Sequence, residues 1–252
     1  MKSITSVVTL LLLPLGVVFA TGVAACTSSA TSAAAADSGP SNTLVCGAGG
    51  VKGTARMTDP SSLGAVAGVV ITAGSGCTAA VSDDRGMFSY DLPARQVLKI
   101  DFSAKGYITE HAEAAAIKGL TGTNLFIFPA SYRTNVFTGW TEGSGYVLVV
   151  INGDGGDAGP CATAAGATVS IKGHPEIKVG YAADSTTRSP TLTATSDFGV
   201  AVLGPVPPGR YEVEATKTGC KASVTRDETF EYAASFDVLA NTLTASQLSL
   251  SQ

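Results

Sequence analysis

From residue 44 onward, apolar and polar positions alternate in short runs closed by glycine, proline, asparagine or aspartate. This period of two predicts half-buried strands. In the run 210–215, Tyr211, Val213 and Ala215 face one way, while Arg210, Glu212 and Glu214 face the other. An Asp-x-Gly turn stands ahead of this hairpin, and the whole pattern occurs twice. Asp84-Arg85-Gly86-Met87-Phe88 answers Asp197-Phe198-Gly199-Val200-Ala201, Leu92-Pro93 answers Val206-Pro207, and Lys105-Gly106-Tyr107 answers Thr218-Gly219-Cys220. In both copies the two glycines are 20 residues apart.

In the first copy the pattern predicts strands over 51–57, 64–72, 78–82, 87–92 and 97–104, with 125–128, apolar without a break, as a buried last strand. Residues 111–120 read equally as a helical turn or as strand continuing after Tyr107. Residues 129–145 join the halves as a hinge with glycines at 139, 143 and 145. The second copy opens with a strand over 146–151. Its run 166–171 answers 68–71, and 230–232 and 236–239 supply its final strands. It is longer through 174–190, which is where a loop-borne function would sit. The expected fold is therefore all-β, two tandem immunoglobulin- or prealbumin-like β-sandwiches over 44–138 and 139–252, each long enough to bury its own core.

The N-terminus belongs to a different class. Lys2 precedes an apolar run through Leu10, Leu13 and Val18 to Phe19, then small residues, the pattern of a secretory signal over 1–25 that is removed from the folded chain. Val23-Ala24-Ala25-Cys26 resembles the lipobox of bacterial lipoproteins. The resemblance implies lipidation of Cys26, anchoring to a membrane by acyl chains such as palmitate at about 0.8 kcal/mol per buried methylene. Thr27, where an aspartate would imply inner-membrane retention, implies the outer membrane, with the domains facing the periplasm or cell surface. Residues 26–43, rich in Ser and Ala, read as a disordered tether.

Four cysteines remain once Cys26 is set aside, an even number suited to an oxidising compartment. Two fall in each half, Cys46 with Cys77 and Cys161 with Cys220. Pairing within halves is the economical choice among three connectivities, at about 3 to 4.5 kcal/mol per bridge in the chain-entropy model.

The repeated segments resemble the carboxypeptidase regulatory-like domain, a prealbumin-like sandwich. The first copy carries the likeness in Gly68-Val69-Val70-Ile71, Asp84-Arg85-Gly86-Met87-Phe88-Ser89 and Ala104-Lys105-Gly106-Tyr107, the second in 166–171, 195–201 and Pro207-Pro208-Gly209-Arg210-Tyr211. The second departs from it at Cys220, where the module carries an aromatic. The resemblance implies a module at the bacterial surface.

A net charge of -4 with 14% charged residues, and no cluster among the 16 Lys and Arg, argues against a nucleic-acid partner. The two histidines, His111 and His174, stand in His-x-Glu pairs whose spacing is wrong for a metallocarboxypeptidase, no Gly-x-Ser-x-Gly elbow is present, and both read as surface loop residues. No catalytic residue, metal site or cofactor is assigned. Asn152, Asp154 and Asp157 in a glycine-rich loop can hold calcium but read first as a solvated turn. Trp140, in the hinge with Tyr132 and Tyr146 nearby, reads as interdomain packing, with contact to a glycan as the alternative. The sequence thus points to a non-catalytic, membrane-anchored interaction or structural module with an unidentified protein or glycan partner.

Overall fold

A computed structural model describes residues 41–47, 50–119, 121–154, 159–224 and 230–252. The expected signal segment, Cys26 and the tether through residue 40 lie outside the described residues. In chain order the first half supplies β1 (Thr43–Cys46), β2 (Val51–Thr58), β3 (Val70–Ala73), β4 (Cys77–Thr78), β5 (Ala80–Val81), β6 (Met87–Leu92), β7 (Val97–Ser103), β8 (Thr109–Ala116) and β9 (Thr123–Phe126). A helical turn, α1 (Tyr132–Asn135), precedes β10 (Gly145–Asn152), β11 (Thr168–Ile171), β12 (Val179–Ala182), β13 (Arg188–Ser189), β14 (Val200–Val206), β15 (Gly209–Thr216), β16 (Lys221–Val224), β17 (Phe230–Tyr232), β18 (Ser235–Val238) and β19 (Thr242–Ser251).

Two sandwiched cores result, as the alternation predicts. One lies between a five-stranded sheet, β4-β1-β6-β2-β9, and part of a large sheet, and holds Leu44, Met57, Ile71, Phe88, Tyr90 and Ile100. The other lies between the three-stranded sheet β11-β15-β18 and the rest of the large sheet, and holds Val149, Ile151, Leu203, Val213, Phe236 and Leu250. The internal repeat is exact at the level of hydrogen bonds. Met57 N–H donates to the Gly86 carbonyl at 2.8 Å, and Ile151 N–H to that of Gly199 at 2.7 Å. The Ser82 hydroxyl donates to the Val66 carbonyl and accepts from Val69 N–H, just as the Thr195 hydroxyl donates to Ala164 and accepts from Ala167.

The cores are not separate bodies. Among the described residues the large sheet has 11 strands and runs through both halves in the order β13-β12-β14-β10-β19-β8-β7-β3-β5, with β16 also on β19 and β17 on β8. Its joint is β19, parallel to β10 on one side and to β8 on the other, with Leu243 opposite both Tyr146 and Glu110. Sequence reading ended the second copy with shorter strands and missed β19, because Thr244 and Ser246, buried in the joint, read as exposed positions. β17 likewise pairs with β8, so Phe230 packs on the first core.

Several expected elements change. Residues 64–72 shrink to β3 because Gly68 takes a positive φ and turns the chain. The run 78–82 is split between β4 and β5. The expected buried strand 125–128 is β9, an edge strand whose Phe126 is exposed, while Ile127 and Phe128 are buried beyond its end. Residues 111–116 are strand, which resolves the alternative left open for that segment.

Candidate functional site

Both cysteine pairs are bonded within their halves, Cys46 to Cys77 and Cys161 to Cys220. Cys46 and Cys77 stand opposite each other in the β1–β4 ladder. Cys220 reaches Cys161 from the turn at Gly219, whose positive φ a glycine adopts freely.

A dense charged constellation lies where the halves meet. On β7 and β8, Lys99 pairs with Glu113 and Asp101 with His111, so all four side chains share one sheet face. In a lone sandwich this would be the wet outer face. Here β15 and β18 supply Arg210 and Asp237 to it. Arg210 Nη1 donates to both oxygens of Glu113 at 2.8 Å and to Asp237 at 3.1 Å, and the Asp237 backbone N–H donates to Glu113 at 2.7 Å. Lys99 pairs with Asp237, which raises the Lys99 pKa and lowers that of Asp237.

His111 is the main correction to the sequence reading. It is buried in β8, not on a surface loop, because its polar strand face is covered by the other half. Its Nδ1 lies 2.7 Å from Asp101 and its Nε2 3.6 Å from Glu113. Burial disfavours the imidazolium, but the two carboxylates outweigh it and the pKa is raised. His174 is partly exposed in the loop before β12, as expected, with Nδ1 3.0 Å from Glu176 and its ring edge-on to Tyr211. On the opposite face of β8, Glu110 is buried. It accepts the Phe128 N–H at 2.9 Å, and burial lifts its pKa to about 8. No sequence signal marked it.

The segment expected as a hinge packs as a third apolar cluster. Ile108, Phe128, Tyr132, Phe137, Tyr146, Val202 and Leu243 are drawn from both halves. Trp140 is partly buried against this cluster, stacked on Tyr146 with centroids 4.7 Å apart and an 8° interplanar angle, and the Arg133 guanidinium lies 4.6 Å over its ring. The indole is therefore engaged with protein groups. At Thr138 and Gly139 of this segment, an open groove of about 640 Å³ separates it from β12, β13 and the Gly204-Pro205 stretch of β14. Much of its wall comes from 178–190, within the insertion that sequence comparison of the two copies singled out.

Asp157 lies outside the described residues, and among those described no group of three His, Cys, Asp or Glu is placed to hold a metal ion. No helix among the described residues is long and apolar enough to cross a membrane.

No family model matches the chain, and no curated protein matches it. Solved structures to which it is similar include the Bacillus anthracis TIE protein, at 14% identity and TM-score 0.24, covering 79% of this chain and 34% of that one. A streptococcal ancillary pilin shows 12% identity and TM-score 0.23, covering 78% of this chain and 62% of the pilin. BcpA, the major pilin subunit of Bacillus cereus, shows 8% identity and TM-score 0.24, covering 80% and 99%. The chain thus spans about a third of the first of these proteins and under two thirds of the second. TM-scores this low carry no argument about function, and the β-sandwich assignment rests on the strands and cores described above.

Proposed function

We propose that the chain is a membrane-anchored, non-catalytic lipoprotein whose paired sandwiches form one stiff interaction or structural module in the periplasm or at the cell surface. The observation that carries this reading is the junction. Of the acids and the histidine that chemistry would need, Glu113 and Asp237 are held in contacts that join one half to the other, and His111 is buried between Asp101 and Glu113 beneath them. A rigid two-core body behind a lipobox and tether suits holding a partner away from a lipid surface. Cys26 supplies the acyl anchor, the residues from there to 40 the spacing, since Ser41 and Asn42 already accept Val81 and Ser89 N–H and Thr43 opens β1, and loops or sheet edges the contacts.

Detergent phase partition of the expressed protein tests the anchor. The unaltered chain enters the detergent phase and incorporates labelled palmitate. Cys26→Ser moves to the aqueous phase without label. Equal partition of both forms would overturn the lipoprotein reading. A pull-down of surface partners with the anchored protein then tests the interaction role.

A further inference from the structure

We propose that the groove between the β12–β13 hairpin and Thr138–Gly139 of the junction segment binds a small carboxylic acid with an apolar body. Its walls are Thr138, Gly139, Lys178, Val179, Gly180, Arg188, Ser189, Pro190, Leu192, Gly204 and Pro205, of which only Lys178 and Arg188 are charged. No carboxylate partners either cation among the described residues. A volume of about 640 Å³ lies within the usual range of small-ligand sites.

Arg188 is a held group, not a loose surface cation. The Asp184–Thr186 turn, closed by Thr186 N–H donating to Asp184 at 2.8 Å, brings the hairpin back so that Arg188 stands opposite Ala182. The guanidinium donates from Nη1 to the Thr138 hydroxyl at 2.8 Å. It occupies the space beside Gly180, where a Cβ would meet Nε at 1.7 Å and Cζ at 2.2 Å. Glycine at 180 therefore makes the space that the guanidinium fills. An arginine pre-positioned in this way loses little freedom on binding and keeps donors free for a carboxylate, which its planar fork matches.

The rest of the wall selects the body of the ligand. Val179, Leu192, Pro190 and Pro205 offer hydrocarbon next to the cations, and the Thr138 and Ser189 hydroxyls add polar contacts. Inorganic phosphate would leave the apolar wall unused. A neutral ligand would leave Arg188 and Lys178 without an acid.

The test is methyl NMR on the full chain at 0.15 M salt, following Val179 and Leu192 during titration with 3-phenylpropionate. The expected result is a saturable shift confined to groove methyls, with 3-phenylpropionamide and inorganic phosphate at least tenfold weaker. Arg188→Gln should weaken binding tenfold or more. Thr138→Ala, at an exposed position, releases the guanidinium without touching a core and should weaken it severalfold. Absence of a saturable shift, equal binding of the amide or of phosphate, or unchanged affinity in a folded Thr138→Ala or Arg188→Gln protein would overturn the proposal. Neither outcome depends on Cys26, so the anchor and the groove stand or fall separately.

Discussion

Glu113 on β8 and Arg210 on β15 meet at 2.8 Å through both carboxylate oxygens, across the boundary between the two repeats. The Glu113 side chain is 2% exposed, whereas that of Arg210 is 48% exposed. Removing the arginine therefore strands a buried charge, while removing the carboxylate leaves an arginine that water can solvate. Arg210→Met should cost about 3 kcal/mol, toward the lower end for breaking a buried pair because Arg210 is half exposed. The double variant Arg210→Met with Glu113→Leu should recover part of that loss. Urea unfolding measures both. A single variant within 0.5 kcal/mol of the parent, roughly the scatter of neutral surface substitutions, would show that the pair does not hold the halves together.

The pH dependence of stability follows from Glu110. The unfolded chain releases this proton near the ordinary carboxylate value, but the folded chain keeps it until about pH 8. Stability should therefore fall as pH rises from about 4.5 to 8, by on the order of a few kcal/mol. Glu110→Gln retains the acceptor for Phe128 N–H and should flatten this loss. His111, whose pKa is also raised, adds stability that is full below about pH 6.5 and fades as pH rises through its folded value, so a shallower slope should remain in the variant. Urea midpoints that rise between pH 5 and 8 would contradict the burial of Glu110.

Gly86 and Gly199 occupy the same place in the two copies. Both have positive φ, and a Cβ would fall 2.6 Å from the Met57 carbonyl oxygen at Gly86 and 2.4 Å from that of Ile151 at Gly199. Backbone strain and this clash act together, so Gly86→Ala and Gly199→Ala should each cost more than 2 kcal/mol. Gly68→Ala, also at positive φ but facing open space, should cost less. Thermal melts of the three variants give the comparison.

The disulfides close loops with sequence separations of 31 and 59. In the chain-entropy model these contribute about 3.7 and about 4.2 kcal/mol, so replacing Cys161 and Cys220 with alanine should destabilise slightly more than the same change at Cys46 and Cys77. Thiol titration of the unfolded, unreduced chain should find none of the four reactive.

Much of this architecture was legible in the sequence because a period of two and a glycine with positive φ are local signals. The Asp-x-Gly turns, β6 and the first strand of the second copy follow from them directly, and cysteine arithmetic anticipated both bridges. What stayed hidden depends on contacts between copies. Lys99, Asp101, His111 and Glu113 have the alternation of a solvated face, and nothing local records that Arg210 and Asp237 cover it. β19 stayed hidden for the same reason, since Thr244 and Ser246 are buried only because β8 and β10 flank them. Within the groove, the excess length of 174–190 was visible, but the seating of Arg188 on Gly180 was not.

The central claim is that the two sandwiches form a single stiff body joined through β8 and β19. Native-state hydrogen exchange at increasing urea tests it, by comparing amides in β6 of the first core, β14 of the second and β19 at the joint. Convergence of all three on one opening free energy with one urea dependence is the predicted result. Separate isotherms for β6 and β14, with β19 exchanging before either, would contradict it.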